Sequence, residues 1–287
     1  TIVSLVTIFF TLLLMFFEFG ITAFAYALLG EALITLVIDV CYVKYIDKDI
    51  SILPLKSSRK DIRNLLDFGA PYQALKVAYL VSTSTDNIII AAVMGAASVT
   101  IYVFTGKLAF LVAVFLVSIA PSVLFPGFSQ LFELKDKEKL QVLYLKLTDL
   151  SVRLGVFSGI SFLFINESFI KAWVGPENYG GAPLTICFVV WILFESFIRG
   201  ITAIIYASGD LKGLTLVVWL EAIINITVTL LLINSLGLLG VVLGTVFSRT
   251  ISVLYIPLRI NNMLNVKHLD FMKCLVSNAA TCSIAML

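Results

Sequence analysis

Eight long apolar segments dominate this sequence and limit what it can fold into. A helix that crosses a hydrocarbon core of ~30 Å needs about 20 apolar residues. The segments lie at residues 2–18, 21–43, 68–94, 100–128, 151–170, 182–207, 214–235 and 240–262, and a ninth begins near residue 271. Backbone groups in lipid must bond within their own segment, which excludes open strands. The sequence therefore predicts an all-α integral membrane protein, built as a multi-pass helical bundle.

Composition agrees with this prediction and excludes several classes of function. Of the 287 residues, 60% are hydrophobic and 13% charged, whereas soluble domains carry roughly 25% charge. A net charge of +2 gives no reason to expect nucleic acid as a partner. The sequence has no phosphate-binding GxxxxGK[ST] motif and no metal-ligand spacing, so we expect no cofactor and no metal. Any transport would be secondary, driven by a gradient, by the membrane potential or by substrate supply.

Lysine and arginine are distributed unequally between the two sets of connections. Fourteen of the 20 lie on one side, which includes the linker 44–66 and the loop 129–150, and the opposite loops hold only Lys171. The positive-inside rule predicts that the first side is cytoplasmic. Within the loop, residues 133–150 are predicted to form an amphipathic helix on the inner membrane interface. Because the chain starts and stops inside apolar runs, we expect it to be a fragment of a longer protein.

Ionisable side chains inside the apolar segments are the candidates for function. A charge at the bilayer centre costs about 2.5–3.5 kcal/mol, so such a group should face water or a partner. Five polar side chains of segment 68–94 form one stripe at helical spacing: Lys76, Tyr79, Thr83, Asp86 and Asn87. The stripe predicts a helix that lines a hydrated cavity. A structural network between helices is the alternative.

Further candidates lie on the other segments. Glu195 and Arg199 are four residues apart, the spacing at which opposite charges meet on one helix face, and Glu221 and Asn225 share this spacing. The Glu195–Arg199 pair can equally be a neutralised contact that locks a helix interface. The predicted substrate-binding residues are Lys76, Asp86, Asn87, Lys107, Glu195, Arg199, Glu221 and Arg249. Four deep cations against three anions predict a slightly cationic cavity, which suits an anionic substrate.

Five segments together resemble the polysaccharide-transport (Wzx-like) branch of the MOP flippase superfamily, which also contains the MATE drug exporters. They are LLDFGAPYQALKVAYLVSTSTDNIIIAAVMG from Leu65, VTIYVFTGKL from Val99, PSVLFPGFSQLFELKDKEKLQVLYLKLTDLS from Pro121, ESFIKAWVGPENYGGA from Glu167 and ASGDLKGLTLVVWLEAIINITVTLLLINSLGLLGVVLGTVFSR from Ala207. The resemblance covers about residues 1–265 and depends on the order and spacing of the segments, because no single motif is specific.

The resemblance implies a MATE-like fold of two six-helix lobes joined by a cytoplasmic linker. It divides this chain into the last two helices of the N-terminal lobe (1–43), the linker (44–66), the C-terminal six-helix lobe (67–262), and a cytoplasmic loop with the start of an additional transmembrane helix (263–287). The facing half of a central cavity would then lie outside this sequence.

The resemblance also implies a function without covalent chemistry. Such a protein would be a flippase of the bacterial inner membrane that moves undecaprenyl-pyrophosphate-linked oligosaccharide between leaflets by alternating access, for O-antigen, lipopolysaccharide or exopolysaccharide biosynthesis. Its partners would be the lipid-linked oligosaccharide, membrane lipid and polysaccharide assembly proteins. One alternative is a MATE-like cation-coupled multidrug exporter, in which acidic residues should dominate the cavity. An integral-membrane polymerase or ligase, which would need a large outer loop, and a non-transporting scaffold are the others.

Overall fold

A computed structural model describes residues 2–20, 22–46, 58–267 and 271, and nearly all of these residues are helical. The helices are α1 (Ile2–Phe16), α2 (Thr22–Ile46), α3 (Arg59–Met94), α4 (Ala96–Glu133), α5 (Lys137–Trp173), α6 (Ala182–Ser208), α7 (Leu211–Leu236) and α8 (Leu238–Leu264), with a short 3-10 turn (Pro176–Asn178) between α5 and α6. Within the described ranges there is no strand, and seven helices are long and apolar enough to cross a membrane. The predicted all-α membrane fold is confirmed.

The chain divides into two compact units, residues 1–64 and 65–287. In the first unit α1 contacts α2, and Ala23 and Ala27 of α2 are buried. Small residues four apart let two helices approach closely. Both flanking helices extend into the predicted linker 44–66, because α2 continues to Ile46 and α3 begins at Arg59. Residues 47–57 of that linker, and the predicted ninth segment apart from Phe271, lie outside the described residues.

The second unit is organised around α6, which contacts α4, α5, α7 and α8. Its buried apolar side chains form two clusters. The first cluster lies toward the end where α5 and α7 begin and includes Tyr144, Ile204 and Ile256. The second lies toward the opposite end and includes Phe188 and Val241. The middle of the unit, between these clusters, is therefore left to polar side chains.

The prediction of an amphipathic interface helix at residues 133–150 is wrong. The segment is helical, but it is not a separate helix on the membrane interface, because α5 runs without a break from Lys137 to Trp173. The physical reason is twofold: no glycine or proline interrupts residues 137–154, and the apolar stripe of this segment meets protein. Leu140, Tyr144 and Leu147 are buried in the first apolar cluster.

A local capping interaction fixes where α5 begins. Asp136 Oδ1 accepts a hydrogen bond from the backbone N–H of Lys139 at an N–O distance of 3.2 Å. Asp136 Oδ2 also forms an ion pair with Lys139 Nζ at 2.8 Å. The hydrogen bond and charge of the Lys139 side chain hold the pKa of the Asp136 carboxyl below its ordinary value. The turn between α4 and α5 is consequently only three residues long.

The α7–α8 hairpin depends on one glycine in its turn and on two glycines, Gly240 and Gly244, that permit close helix packing. Gly237 alone connects the helices, with a left-handed φ of 59°. A Cβ atom at Gly240 would lie 2.6 Å from the Leu232 carbonyl oxygen, and one at Gly244 would lie 2.4 Å from Thr229 Oγ1. Small residues of this kind bring membrane helices into backbone contact.

We predict that Gly240→Ala lowers the free energy of unfolding by about 1–3 kcal/mol, the usual cost of overpacking, because the obstructing Leu232 carbonyl is backbone and cannot rotate away. Thermal unfolding of the detergent-solubilised full-length protein measures this. Gly127→Ala on α4 is the matched control, since a Cβ there meets no atom within 4 Å. Equal melting temperatures for the two variants would contradict the proposed packing role.

Candidate functional site

A cavity of about 360 Å³ lies within residues 65–287, among α3, α4, α6, α7 and α8. Its lining side chains come from five helices: Tyr79, Ser82, Asp86 and Asn87 of α3; Tyr102, Val103, Lys107 and Phe110 of α4; Phe188, Trp191, Glu195 and Arg199 of α6; Glu221 of α7; and Val242, Thr245, Ser248 and Arg249 of α8. Glu195, Glu221 and Arg249 each lie near the middle of their helix. The cavity is therefore at mid-depth, between the two apolar clusters.

Seven of the eight side chains predicted to bind substrate line this one cavity: Asp86, Asn87, Lys107, Glu195, Arg199, Glu221 and Arg249. Lys76 does not, although it belongs to the predicted stripe. It lies ten residues before Asp86, about 15 Å along α3, and its ammonium group lies 4.8 Å from the ring centre of Tyr72. Of the stripe, Tyr79, Asp86 and Asn87 line the cavity, and Lys76 contacts Tyr72 one turn before Tyr79.

Arg249 connects three helices through two carboxylates. Its Nη2 donates to Glu195 Oε2 on α6 at 2.5 Å, and its Nη1 donates to Glu221 Oε2 on α7 at 3.0 Å. The backbone N–H of Ser252 donates to the remaining Glu221 oxygen at 3.2 Å. A guanidinium has a planar fork of donors that matches two carboxylates at once. Arg249 consequently joins α6, α7 and α8 at mid-depth.

The predicted Glu195–Arg199 contact is present, and it is part of this network. Arg199 Nε donates to Glu195 Oε1, so both oxygens of Glu195 are engaged. The Arg199 side chain remains 40% exposed, whereas the side chain of Glu195 is 3% exposed. The carboxylate is therefore sequestered, while the two Nη groups of Arg199 stay accessible from the cavity.

Asp86 has a different environment, because its partners are neutral. It accepts hydrogen bonds from Thr245 Oγ1 at 2.9 Å, Asn225 Nδ2 at 3.0 Å and the Tyr102 hydroxyl at 3.3 Å. In the part of the chain that the structure describes, no lysine or arginine lies within ion-pair distance of it. Asp86 is thus a buried carboxylate whose hydrogen-bond donors are all uncharged.

One pair of residues predicted from its spacing does not form a contact, and several hydrogen-bond partners in the cavity were not predicted. Glu221 and Asn225 share a spacing of four, but Glu221 binds α8 and Asn225 binds Asp86 on α3. Tyr102 and Thr245 could not be predicted as partners of Asp86, because single hydroxyl residues are common in apolar helices. Among the described residues, no group of three Asp, Glu, His or Cys side chains is close enough to hold a metal ion.

The predicted cationic excess does not hold. With Lys76 outside, three cations (Lys107, Arg199 and Arg249) and three carboxylates (Asp86, Glu195 and Glu221) line the cavity. Accessibility nevertheless differs between the two signs. Each carboxylate is at most 5% exposed and has both oxygens hydrogen-bonded. Lys107 is exposed and has no carboxylate within ion-pair distance among the described residues.

Aromatic side chains form another wall of the cavity. Phe110 and Trp191 have ring centres 4.8 Å apart, and those of Tyr102 and Phe188 are 5.5 Å apart. These rings come from α4 and α6, whereas the carboxylates and Arg249 come mainly from α3, α7 and α8. The sequence offers no signal for this wall, because aromatic residues in apolar helices are equally common in cores. Ligand sites generally combine such apolar walls with a few polar groups.

We predict that Arg249→Met destabilises the protein by about 3–5 kcal/mol, because it leaves the buried carboxylate of Glu221 without its cation and that of Glu195 with Arg199 alone. Chemical unfolding of the full-length protein in detergent checks this. Arg259→Met on the same helix is the control: its ion pair with Asp210 is solvent-exposed and should contribute little to stability. Adding Glu195→Gln and Glu221→Gln to Arg249→Met should restore stability. Failure of that rescue would contradict the charge-pairing role.

Known proteins resemble this chain in fold and in sequence. The crystal structure of a mutant MATE protein aligns with a TM-score of 0.66 at 15% sequence identity, covering 87% of this chain and 58% of the other. Identity at this level shows the fold alone, and it confirms the MATE-like architecture predicted from the sequence. No curated protein matches the chain significantly. A family model described as polysaccharide biosynthesis protein matches residues 1–183. Since this match covers more than half of the sequence, the chain belongs to that polysaccharide biosynthesis protein family.

Proposed function

We propose that this chain is part of a flippase that moves a lipid-linked oligosaccharide across the bacterial inner membrane. The polyprenyl carrier would be joined to the sugars by pyrophosphate, and movement would occur by alternating access around the mid-depth cavity. Membership of a polysaccharide biosynthesis family supports the pathway, and the MATE-like fold supports transport. Since the chain spans 58% of the MATE structure, the rest of the transporter would complete the cavity.

One observation carries this proposal: the exposed charged groups of the cavity are cationic, while its carboxylates are buried and hydrogen-bonded. Lys107 and the free Nη groups of Arg199 can donate charge-assisted hydrogen bonds to phosphate oxygens. The charges of Glu195 and Glu221 are offset by Arg199 and Arg249, which weakens their repulsion of such a group. A cavity of zero formal charge can thus attract an anion, because its positive groups alone are available.

The aromatic wall suits the remainder of the substrate. Sugar rings present apolar C–H faces that pack on aromatic rings, and the Phe110–Trp191 pair offers such a surface. The polyprenyl chain would stay in the lipid while the pyrophosphate and sugars pass through the cavity. The α4–α5 turn, which lies within the predicted loop 129–150, and the linker 44–66 would face the cytoplasm, where polysaccharide assembly proteins could meet the transporter.

The alternatives are less well supported by the geometry. A cation-coupled drug exporter needs an accessible acid for a cationic drug. Asp86, the cavity carboxylate with no cation within ion-pair distance among the described residues, is 5% exposed. A polymerase or ligase needs a large outer loop. The connections at that end of the described bundle are Gly95, Gly237 and the eight residues 174–181. A scaffold would not require Lys107 in the middle of a membrane helix.

Asp86 is our candidate for coupling to a gradient. A buried carboxylate with neutral donors can take up a proton or another small cation without losing an ion pair. Because Asn225 and Thr245 bring α7 and α8 to Asp86 on α3, a change of charge there would alter the contact between three helices. That contact would then respond to the driving force.

We predict that Lys107→Gln lowers the rate of lipid-linked oligosaccharide translocation by about 10- to 100-fold, because it removes a charge-assisted contact worth roughly 1.5–3 kcal/mol. The assay is proteoliposomes that contain the full-length protein and an undecaprenyl-pyrophosphate oligosaccharide. Lys107→Arg should retain most activity. Lys76→Gln, a lysine of the same membrane domain that faces Tyr72 and not the cavity, should be affected less. Equal rates for the Lys76 and Lys107 variants would defeat the proposal.

We further predict that Asp86→Asn abolishes acceleration of translocation by an imposed ion or proton gradient, while slow exchange between leaflets continues. The amide keeps the shape of the side chain, loses its charge and exchanges one accepting oxygen for a donating NH2 group. Tyr102→Phe is the control, because it removes one hydrogen bond to Asp86 and leaves the carboxylate. Gradient dependence that survives in Asp86→Asn would show that coupling occurs elsewhere.

A further inference from the structure

A second depression, which we call the α3–α7 groove, lies on the surface of residues 65–287 and shares no residue with the cavity. It encloses about 450 Å³ and is lined by Pro71, Lys212, Thr215, Leu216, Trp219, Leu220 and Ile223. The Thr215 hydroxyl donates to the Pro71 carbonyl at 3.2 Å, which joins its two walls. A volume of this size is within the range of about 300–1,000 Å³ of small-molecule sites.

The α3–α7 groove is apolar along most of its length and cationic at one end. Leu216 and Ile223 are exposed, and in a membrane-spanning helix exposed side chains of this type meet hydrocarbon. Lys212 lies in the first turn of α7 and has no carboxylate within ion-pair distance in the described part of the chain. The nearby Asp210 is engaged by Arg259 instead, and it makes no side-chain capping bond to α7.

The spacing of these residues matches the thickness of one lipid leaflet. From Lys212 to Ile223 are eleven residues, or about 16 Å along the helix. Half of a hydrocarbon core of ~30 Å is about 15 Å. The α3–α7 groove therefore has its cation where a lipid phosphate lies and its apolar wall where an acyl chain lies, as far as the bilayer midplane.

We propose that the α3–α7 groove binds an anionic phospholipid of the leaflet at which α7 begins. The lipid phosphate contacts Lys212, and an acyl chain lies along Leu216, Trp219 and Ile223. Charge complementarity selects an anionic over a zwitterionic head group, because a single unpaired lysine near the surface attracts anionic lipid. This site is separate from the proposed translocation pathway and does not depend on it.

Trp219 provides the probe for a direct test. The full-length protein is reconstituted in phosphatidylcholine vesicles with a small fraction of acyl-chain-brominated phosphatidylglycerol or of acyl-chain-brominated phosphatidylcholine. The part of the fluorescence quenching that disappears in Trp219→Phe is the signal of the groove. We expect brominated phosphatidylglycerol to quench Trp219 more strongly. In Lys212→Gln its relative affinity should fall about fivefold, the contribution of one such lysine.

The matched control is Lys137→Gln, an exposed first-turn lysine of α5 at the same end of the bundle, which should keep the preference. Equal quenching by both lipids would overturn the proposal and indicate ordinary annular lipid. Quenching by neither would overturn it too, and would indicate that protein covers the groove. The comparison of lipids in the unaltered protein decides between these outcomes even if Lys212→Gln fails to fold.

Discussion

The pairing of Arg249 with Glu195 and Glu221 is the interaction on which the second unit depends. It is the point at which α6, α7 and α8 meet, and it lies between two apolar clusters that hold the ends of the same helices. Lipid is as apolar as leucine, so burial of apolar surface cannot drive membrane helices together as it does in water. A charge network at mid-depth supplies a specific contact that apolar packing alone does not.

The same network determines what the cavity offers a ligand. Because Arg249 and Arg199 occupy both oxygens of Glu195, and Arg249 and Ser252 occupy both oxygens of Glu221, neither carboxylate is available to a substrate. The formal charges of the cavity side chains sum to zero. Of these charged side chains, however, only Lys107 and Arg199 are exposed, and both are cationic. Substrate preference in such a site follows from which charges are already satisfied.

The fold, and most of the polar residues that line the cavity, could be predicted from the sequence for a clear physical reason. Membrane helices need long apolar runs, so their number and order are readable, and a charge such as Glu221 stands out against them. What the sequence could not supply is direction around the helix axis. Lys76 fits the spacing of its stripe but contacts Tyr72, and Asn225 fits the spacing of Glu221 but contacts Asp86. The aromatic wall was invisible, since its residues are also those of an ordinary core.

Lys107 is the residue on which our proposal of a binding site, instead of a structural network, chiefly depends. In a structural network the ionisable groups are paired with one another, as Arg199 and Arg249 are with Glu195 and Glu221. Lys107 lines the same cavity without an ion-pair partner among the described residues, although a central cation costs about 2.5–3.5 kcal/mol in a membrane. A site that bound no anion would be more stable with an apolar side chain there. The anionic ligand that we propose would supply the counter-charge that Lys107 lacks among the described residues.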